Sequence, residues 1–248
     1  MWEFIIIFAV SLLATILSTI SGGGSGIISL PVFLWLGISL PLSIAIQKVN
    51  AIFFTPIPAY NYLKGKKIDW TFLLLFAFIG LIGVYAGVNI LLAVDKILMQ
   101  RAIGLIIFAF AIFVFLKKDF GMKERTESSK IKRAASYFAA LIMGFYESLM
   151  GSGNGIAFTA LTYYTRGFDF IHAMGYYFAI AFFWCTFTAI LYIQKGYFDF
   201  WMMLASILGA MIGAQIGSKY ARYKGNKFIK TVFTVVGVVL GLKLFLNL

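Results

Sequence analysis

The chain reads as an all-α polytopic membrane protein built from two homologous repeats, and three observations carry that reading. The first is composition: of 248 residues, 62% are hydrophobic and 12% charged, with a mean hydropathy of +0.94, well outside the balance of a water-soluble domain. The second is segment length. About 20 apolar residues cross the hydrocarbon core, and 70–94, 173–194 and 200–218 each continue past their first residue without a formal charge; β-barrel strands would instead alternate in polarity over about 10 residues. The third is internal duplication, in which the same landmarks recur in the same order in both halves, as in transporter folds made of two copies of one unit.

Three landmarks define the duplication. Ser21-Gly22-Gly23-Gly24-Ser25-Gly26 matches Gly151-Ser152-Gly153-Asn154-Gly155, and each run leads into an isoleucine, Ile27 or Ile156. Lys64-Gly65-Lys66-Lys67-Ile68-Asp69-Trp70 matches Lys195-Gly196-Tyr197-Phe198-Asp199-Phe200, and Gly83 with Gly87 matches Gly213 with Gly217. The copies are separated by 129 to 131 residues, and Asp to the first following glycine of the pair is 14 residues in both. This organises the chain as a first transmembrane repeat, 1–118, a basic cytoplasmic linker, 119–133, and a second transmembrane repeat, 134–248.

Taken in order, Met1-Trp2-Glu3-Phe4 lacks a basic n-region and no cleavage pattern precedes Gly22, so the apolar stretch 4–20 is expected to be retained. Glycine is a poor helix former, and runs this dense should break a helix. Exposed backbone at membrane depth survives only where protein covers it or a watery cavity receives it. Pro31, Pro41, Pro56 and Pro58, all the prolines of the chain, follow the first run; each removes a backbone donor and should disturb the helices there. Asp69 and Asp199 precede helix starts and are read as N-caps. Gly83/Gly87 and Gly209/Gly213/Gly217, four apart within apolar helices, read as packing faces.

Positive charge orients the repeats. The stretch 117–133 carries seven Lys or Arg against three acidic residues, which places it in the cytoplasm by the positive-inside rule. If each half crosses four times, eleven basic residues fall inside and eight outside; if each glycine run is the tip of a re-entrant hairpin, leaving three full crossings, sixteen fall inside and only Lys96, Arg101 and Lys195 outside. The second count fits the rule better. The expected architecture is therefore two inverted repeats, each with a Gly-rich broken or re-entrant element plus three or four transmembrane helices.

The net charge of +12 lies in loops beside apolar segments, where membrane orientation and anionic lipid are its usual reasons and nucleic acid is not. With one Cys (Cys185) and one His (His172), the chain cannot form an internal disulfide, offers no metal cluster and lacks a nucleophile with a general base, so neither a cofactor nor an enzymatic reaction is expected. His172, beside Asp169, is expected at an interface.

A helix that starts at a glycine break presents free N–H groups and the positive end of its dipole, which suits an anion. The expected substrate-binding residues are accordingly Gly22, Gly23, Gly24, Ser25 and Gly26 with Gly151, Ser152, Gly153, Asn154 and Gly155, the two helix starts facing each other near the midplane. Lys48 lies in an apolar segment, where a charge costs at least about 2.5 kcal/mol; with Gln47 and Asn50 it is expected to face the bundle interior and help bind the anion. Glu147 lies one turn before Gly151 and either carries a coupling proton or pairs with Lys48.

A glycine run followed by a proline-bearing apolar stretch, the Lys-Gly to Asp-Trp/Phe element at 64–70 and 195–200, the duplication and the length together resemble the sulfite exporter TauE/SafE family over nearly the whole chain. That resemblance implies a multi-pass permease of a bacterial or archaeal inner membrane for small anions such as sulfite or organosulfonates, working without chemistry. An anion channel or facilitator is the alternative, with an intramembrane enzyme behind it. The expected partners are a small anion and membrane lipid, and a homo-oligomer is compatible with the sequence.

Overall fold

Both glycine runs interrupt their helices. The computed structural model describes residues 2–23, 25–90, 119–124, 130–149, 151 and 153–246, with scattered positions between 105 and 116. Within them lie α1 (Trp2–Ser21), α2 (Ser25–Trp35), α3 (Leu40–Phe54), α4 (Pro56–Leu63), α5 (Trp70–Ile90), α6 (Lys130–Leu149), α7 (Asn154–Arg166), α8 (Phe170–Gln194) and α9 (Phe200–Leu246). The described residues contain no strand. Gly24, Ser152, Lys96, Arg101 and 125–129 of the linker lie outside the described residues.

Among the described residues, five segments are long and apolar enough to cross a membrane: Trp2–Ser21, Leu40–Leu63, Trp70–Ile90, Phe170–Gln194 and Phe200–Val236. By contrast α2 and α7, with 11 and 13 residues, are half-length elements that follow the two breaks. The prolines disturb less than the sequence suggests. Pro41 occupies the first turn of α3, where a backbone donor would have no helical acceptor; Pro56 and Pro58 lie at the junction of α3 with α4, and Pro31 lies inside α2. Thr55 keeps helical angles between α3 and α4 and donates its hydroxyl to the Ala51 carbonyl at 2.7 Å, so the two form one span.

The glycine ladders exchange partners between the halves. On α9, Gly209, Gly213 and Gly217 lie against Phe8, Leu12 and Ile16 of α1; on α5, Gly80, Gly83 and Gly87 lie against Gly144, Leu141, Phe145 and Ser148 of α6. In each pair the helices run parallel, backbone on backbone, because no side chain separates them. Gly213→Leu would drive a side chain into the Leu12 carbonyl, whose carbon would lie 3.2 Å from the new Cβ. Its expected cost is about 1–3 kcal/mol of overpacking, read as a lower melting temperature in detergent.

Helix α5 also runs alongside α8 in the same direction, from Phe72 near Tyr176 (5.5 Å between ring centroids) through Phe76 near Trp184 (5.9 Å) to Asn89 near Lys195 (3.4 Å). Helix α9 then doubles back after the turn at 195–199. The α5/α6 pair and the α1/α9 pair consequently point in opposite directions.

One end of the bundle is strongly polar. Arg166 donates to Asp69 at 3.2 Å and lies over the Phe72 ring, Lys66 bonds Glu124 at 2.5 Å and Asp169 at 3.6 Å, and Arg222 donates to the Asn61 and Lys64 carbonyls at 2.7 and 3.0 Å. Four crossings per half would leave Lys64 inside and Arg222 outside; here Arg222 donates to the Lys64 carbonyl, and Lys195 sits at the other end beside Asn89. Asp69 and Asp199 accept from the Phe72 and Met202 amides, each at 2.9 Å, as N-caps. His172 joins the polar end, its Nδ1 3.2 Å from Glu124, and α9 breaks there at Gly225 (φ 78°, ψ −177°).

The hydrogen bond from Lys66 holds the Glu124 carboxyl below its ordinary value. A depressed carboxyl stabilises the folded state fully above its unfolded pKa of about 4.3. That contribution is lost as pH falls through the lower folded value. Amide exchange within 119–124 is expected to accelerate only below the ordinary carboxylate range, and Lys66→Gln should remove the transition.

Candidate functional site

The two breaks meet. Gly22 (φ 81°) and Gly23 (φ 121°) end α1, while Gly151 (φ 64°) and Gly153 (φ 82°) separate α6 from α7. Only glycine adopts these left-handed angles at little cost. A Cβ at Gly22 would lie 3.4 Å from the Gly155 carbonyl carbon, and one at Gly23 3.4 Å from the Gly153 nitrogen. The Gly22 and Gly23 amides donate to the Ser18 carbonyl at 3.0 and 2.9 Å, closing the end of α1.

Beside that contact lies a buried ion pair. Lys48 of α3 bonds Glu147 of α6 at 3.0 Å, with 6% of each side chain exposed, and also donates to the Glu147 backbone carbonyl. The other carboxylate oxygen accepts from Asn154 at 2.8 Å and from the Tyr177 hydroxyl at 3.0 Å, and the Cys185 thiol lies 3.6 Å from the first. Four donors from three helices around one carboxylate meet the condition under which a buried charge is tolerated. Gly151 makes room for it, since a Cβ there would strike the Glu147 carboxylate and come within 3.0 Å of Lys48 Nζ.

A cavity of about 40 Å³ opens onto this pair, lined among others by Ser25 and Gly26 of α2, Gln47 and Lys48 of α3, and Tyr177 and Cys185 of α8. That volume admits one water or a very few. The first-turn N–H groups of α2 have no carbonyl of their own helix to reach. Gln47 Nε2, next to Lys48, is buried with no hydrogen-bond partner. Such an orphaned donor is costly unless something accepts from it.

The structure sorts the residues expected from sequence. Gly23, Ser25, Gly26, Gln47, Lys48, Glu147 and Gly151 line the cavity, whereas Gly22, Gly153 and Gly155 form the backbone contact. Only the start of α2 opens onto the cavity. The start of α7 is covered because Gly155, having no side chain, packs onto the Gly22 carbonyl, and Asn154 spends its amide on Glu147 and the Met143 carbonyl. Asn50 points away, donating to Ser206 at 2.6 Å, which is itself 2.9 Å from Ser11; this ties α3, α9 and α1 together. Sequence reasoning missed Tyr177 and Cys185. With Ala181 they follow i, i+4, i+8 spacing on α8, but nothing marks Tyr177 among 13 tyrosines.

Half-length helices starting at paired backbone breaks, with a buried ion pair beside them in a bundle of membrane-spanning helices, are the build of a membrane transporter, and comparison with known proteins agrees. The model of the family described as sulfite exporter TauE/SafE matches residues 7–244, and the chain belongs to that family. It is 24% identical over 242 residues to a probable membrane transporter protein, ORF9, of a Sinorhizobium species, covering 96% of this chain and 90% of that one. It is 22% identical over 247 residues to a probable membrane transporter protein of Haemophilus influenzae, covering 96% and 93%, and 22% identical over 240 residues to the probable membrane transporter protein YfcA of Escherichia coli, covering 96% and 88%. No solved structure matches. The chain is a multi-pass membrane transporter and not an enzyme.

Proposed function

We propose that the protein is a secondary transporter of small anions in a bacterial or archaeal inner membrane, with sulfite and organosulfonates as its substrate class and Glu147 as the proton carrier. The observation that carries this reading is the Lys48–Glu147 pair bordering a cavity that also holds an unpartnered donor, Gln47 Nε2. In this state Glu147 occupies the place on Lys48 that a substrate oxyanion would take. An arriving anion replaces the carboxylate on Lys48 and accepts from Gln47 and the first amides of α2. A buried carboxylate stripped of its cation is costly, so Glu147 takes up a proton at a carboxylate oxygen. For a monoanion, such as hydrogen sulfite or an organosulfonate, the charge of the site stays constant, and anion and proton leave together.

A cavity of about 40 Å³ is too small for an organosulfonate, so loading requires the two breaks to part. This favours alternating access over an open channel. The opposed directions of α1/α9 and α5/α6, and the sharing of one end by Lys64, Arg166 and Arg222, support inverted repeats with the linker end in the cytoplasm. Such repeats move against each other around a central site.

Flux into proteoliposomes is the test. Sulfite uptake is expected to saturate and to follow an imposed pH gradient, and Glu147→Gln is expected to leave flux that no longer responds to the gradient. A Glu147→Gln protein with normal proton dependence would exclude Glu147 as the carrier.

A further inference from the structure

At the polar end a second, larger recess lies between α4 and α9, a groove of about 810 Å³ lined by Tyr60, Asn61, Lys64, Lys219, Arg222 and Tyr223 among others. Its charge is unbalanced. No carboxylate lines it, and Lys64 and Lys219 have no ion pair among the described residues, whereas Lys66 and Arg166 at the same end are matched to Glu124, Asp169 and Asp69. Arg222 is fixed in the groove by donating to the Asn61 and Lys64 carbonyls, both neutral acceptors. Three cations are thus gathered with no counter-charge among the described residues.

The exposed face of α9 indicates what supplies it. Ile212, Ile216, Lys219 and Tyr223 succeed one another at helical spacing along one face, with Ile212 45%, Ile216 50% and Tyr223 84% exposed. Apolar side chains at span depth lead to a lysine and then an interfacial tyrosine, the order of acyl chain and headgroup in a lipid leaflet. A free anion would need the cations but not the apolar track beneath them.

We propose that this groove is a binding site for the phosphate of an anionic phospholipid, held by Lys64, Lys219 and Arg222 with its acyl chains along Ile212 and Ile216. The lipid bridges α4 and α9. Basic recesses between membrane helices are suited to such headgroups, and each lysine contributes about 1 kcal/mol near a charged surface.

The experiment is a titration of the purified full-length protein in detergent with phosphatidylglycerol or phosphatidylcholine, followed by native mass spectrometry. Phosphatidylglycerol is expected to bind in preference, and Lys64→Gln with Lys219→Gln to weaken it by about thirtyfold, leaving Arg222 and its contacts intact. Lys67→Gln with Lys195→Gln removes the same charge outside the groove and is expected to change nothing. Millimolar inorganic phosphate is expected to leave the lipid bound. Equal affinity for the two lipids, or equal loss in both double variants, overturns the site; displacement by inorganic phosphate assigns the groove to a free anion and overturns the lipid.

Discussion

Lys48→Met is expected to abolish anion uptake and to destabilise the protein sharply while leaving it inserted in the membrane. Both effects have one cause. Lys48 and Glu147 are 6% exposed and 3.0 Å apart, and removing one member of such a pair strands the other, typically at about 3–5 kcal/mol. Because instability alone can silence a transporter, the informative protein is Lys48→Met with Glu147→Met, which removes both charges and should recover most of the melting temperature. It should still fail to take up sulfite, since the cation that receives the anion is gone. Normal uptake by either protein would remove Lys48 from the site.

Gly155→Ala is the second large effect. The added methyl would overlap the Gly22 carbonyl and approach the Tyr177 ring to 2.8 Å, forcing apart the breaks and disturbing a donor to Glu147. Overpacking of this kind costs about 1–3 kcal/mol, and flux should fall with it. Gly196→Ala is the control. Gly196 has a positive φ, 86°, which the helical Gly155 lacks, and open space around it, so its substitution adds backbone strain without overpacking and should leave transport normal. Wild-type flux and melting temperature in Gly155→Ala would show that the meeting of the two runs does not matter.

Much of this was legible in the sequence because lipid imposes few solutions. Helix breaks at Gly22 and Gly23 and at Gly151 and Gly153, caps at Asp69 and Asp199, and glycine packing faces on α5 and α9 follow from glycine, aspartate and hydrophobicity alone. Lys48 and Glu147 stood out because charges inside apolar segments demand partners. Less legible was which groups would satisfy one another. Asn50 sits two residues from Lys48 in sequence, yet the helical rotation between them turns it toward Ser206 on α9. Asn154 lies in a glycine run and looked like an anion donor, but Glu147 is seven residues earlier and takes its amide. Tyr177 carries no local signal at all, because its role is set by the packing of α8 against α6. The exchange of partners that puts α1 on α9 and α5 on α6 likewise depends on contacts between the halves, and spacing within either half does not reveal it.

The central claim is that an anion takes the place of the Glu147 carboxylate on Lys48, and that Glu147 binds a proton as it is displaced. Infrared difference spectroscopy of the reconstituted protein, recorded with and without sulfite at neutral pH, observes that proton directly. A protonated carboxyl band should appear on sulfite addition, shift in deuterated water and be absent from Glu147→Gln. Saturating sulfite that binds while Glu147 remains ionised would contradict the account.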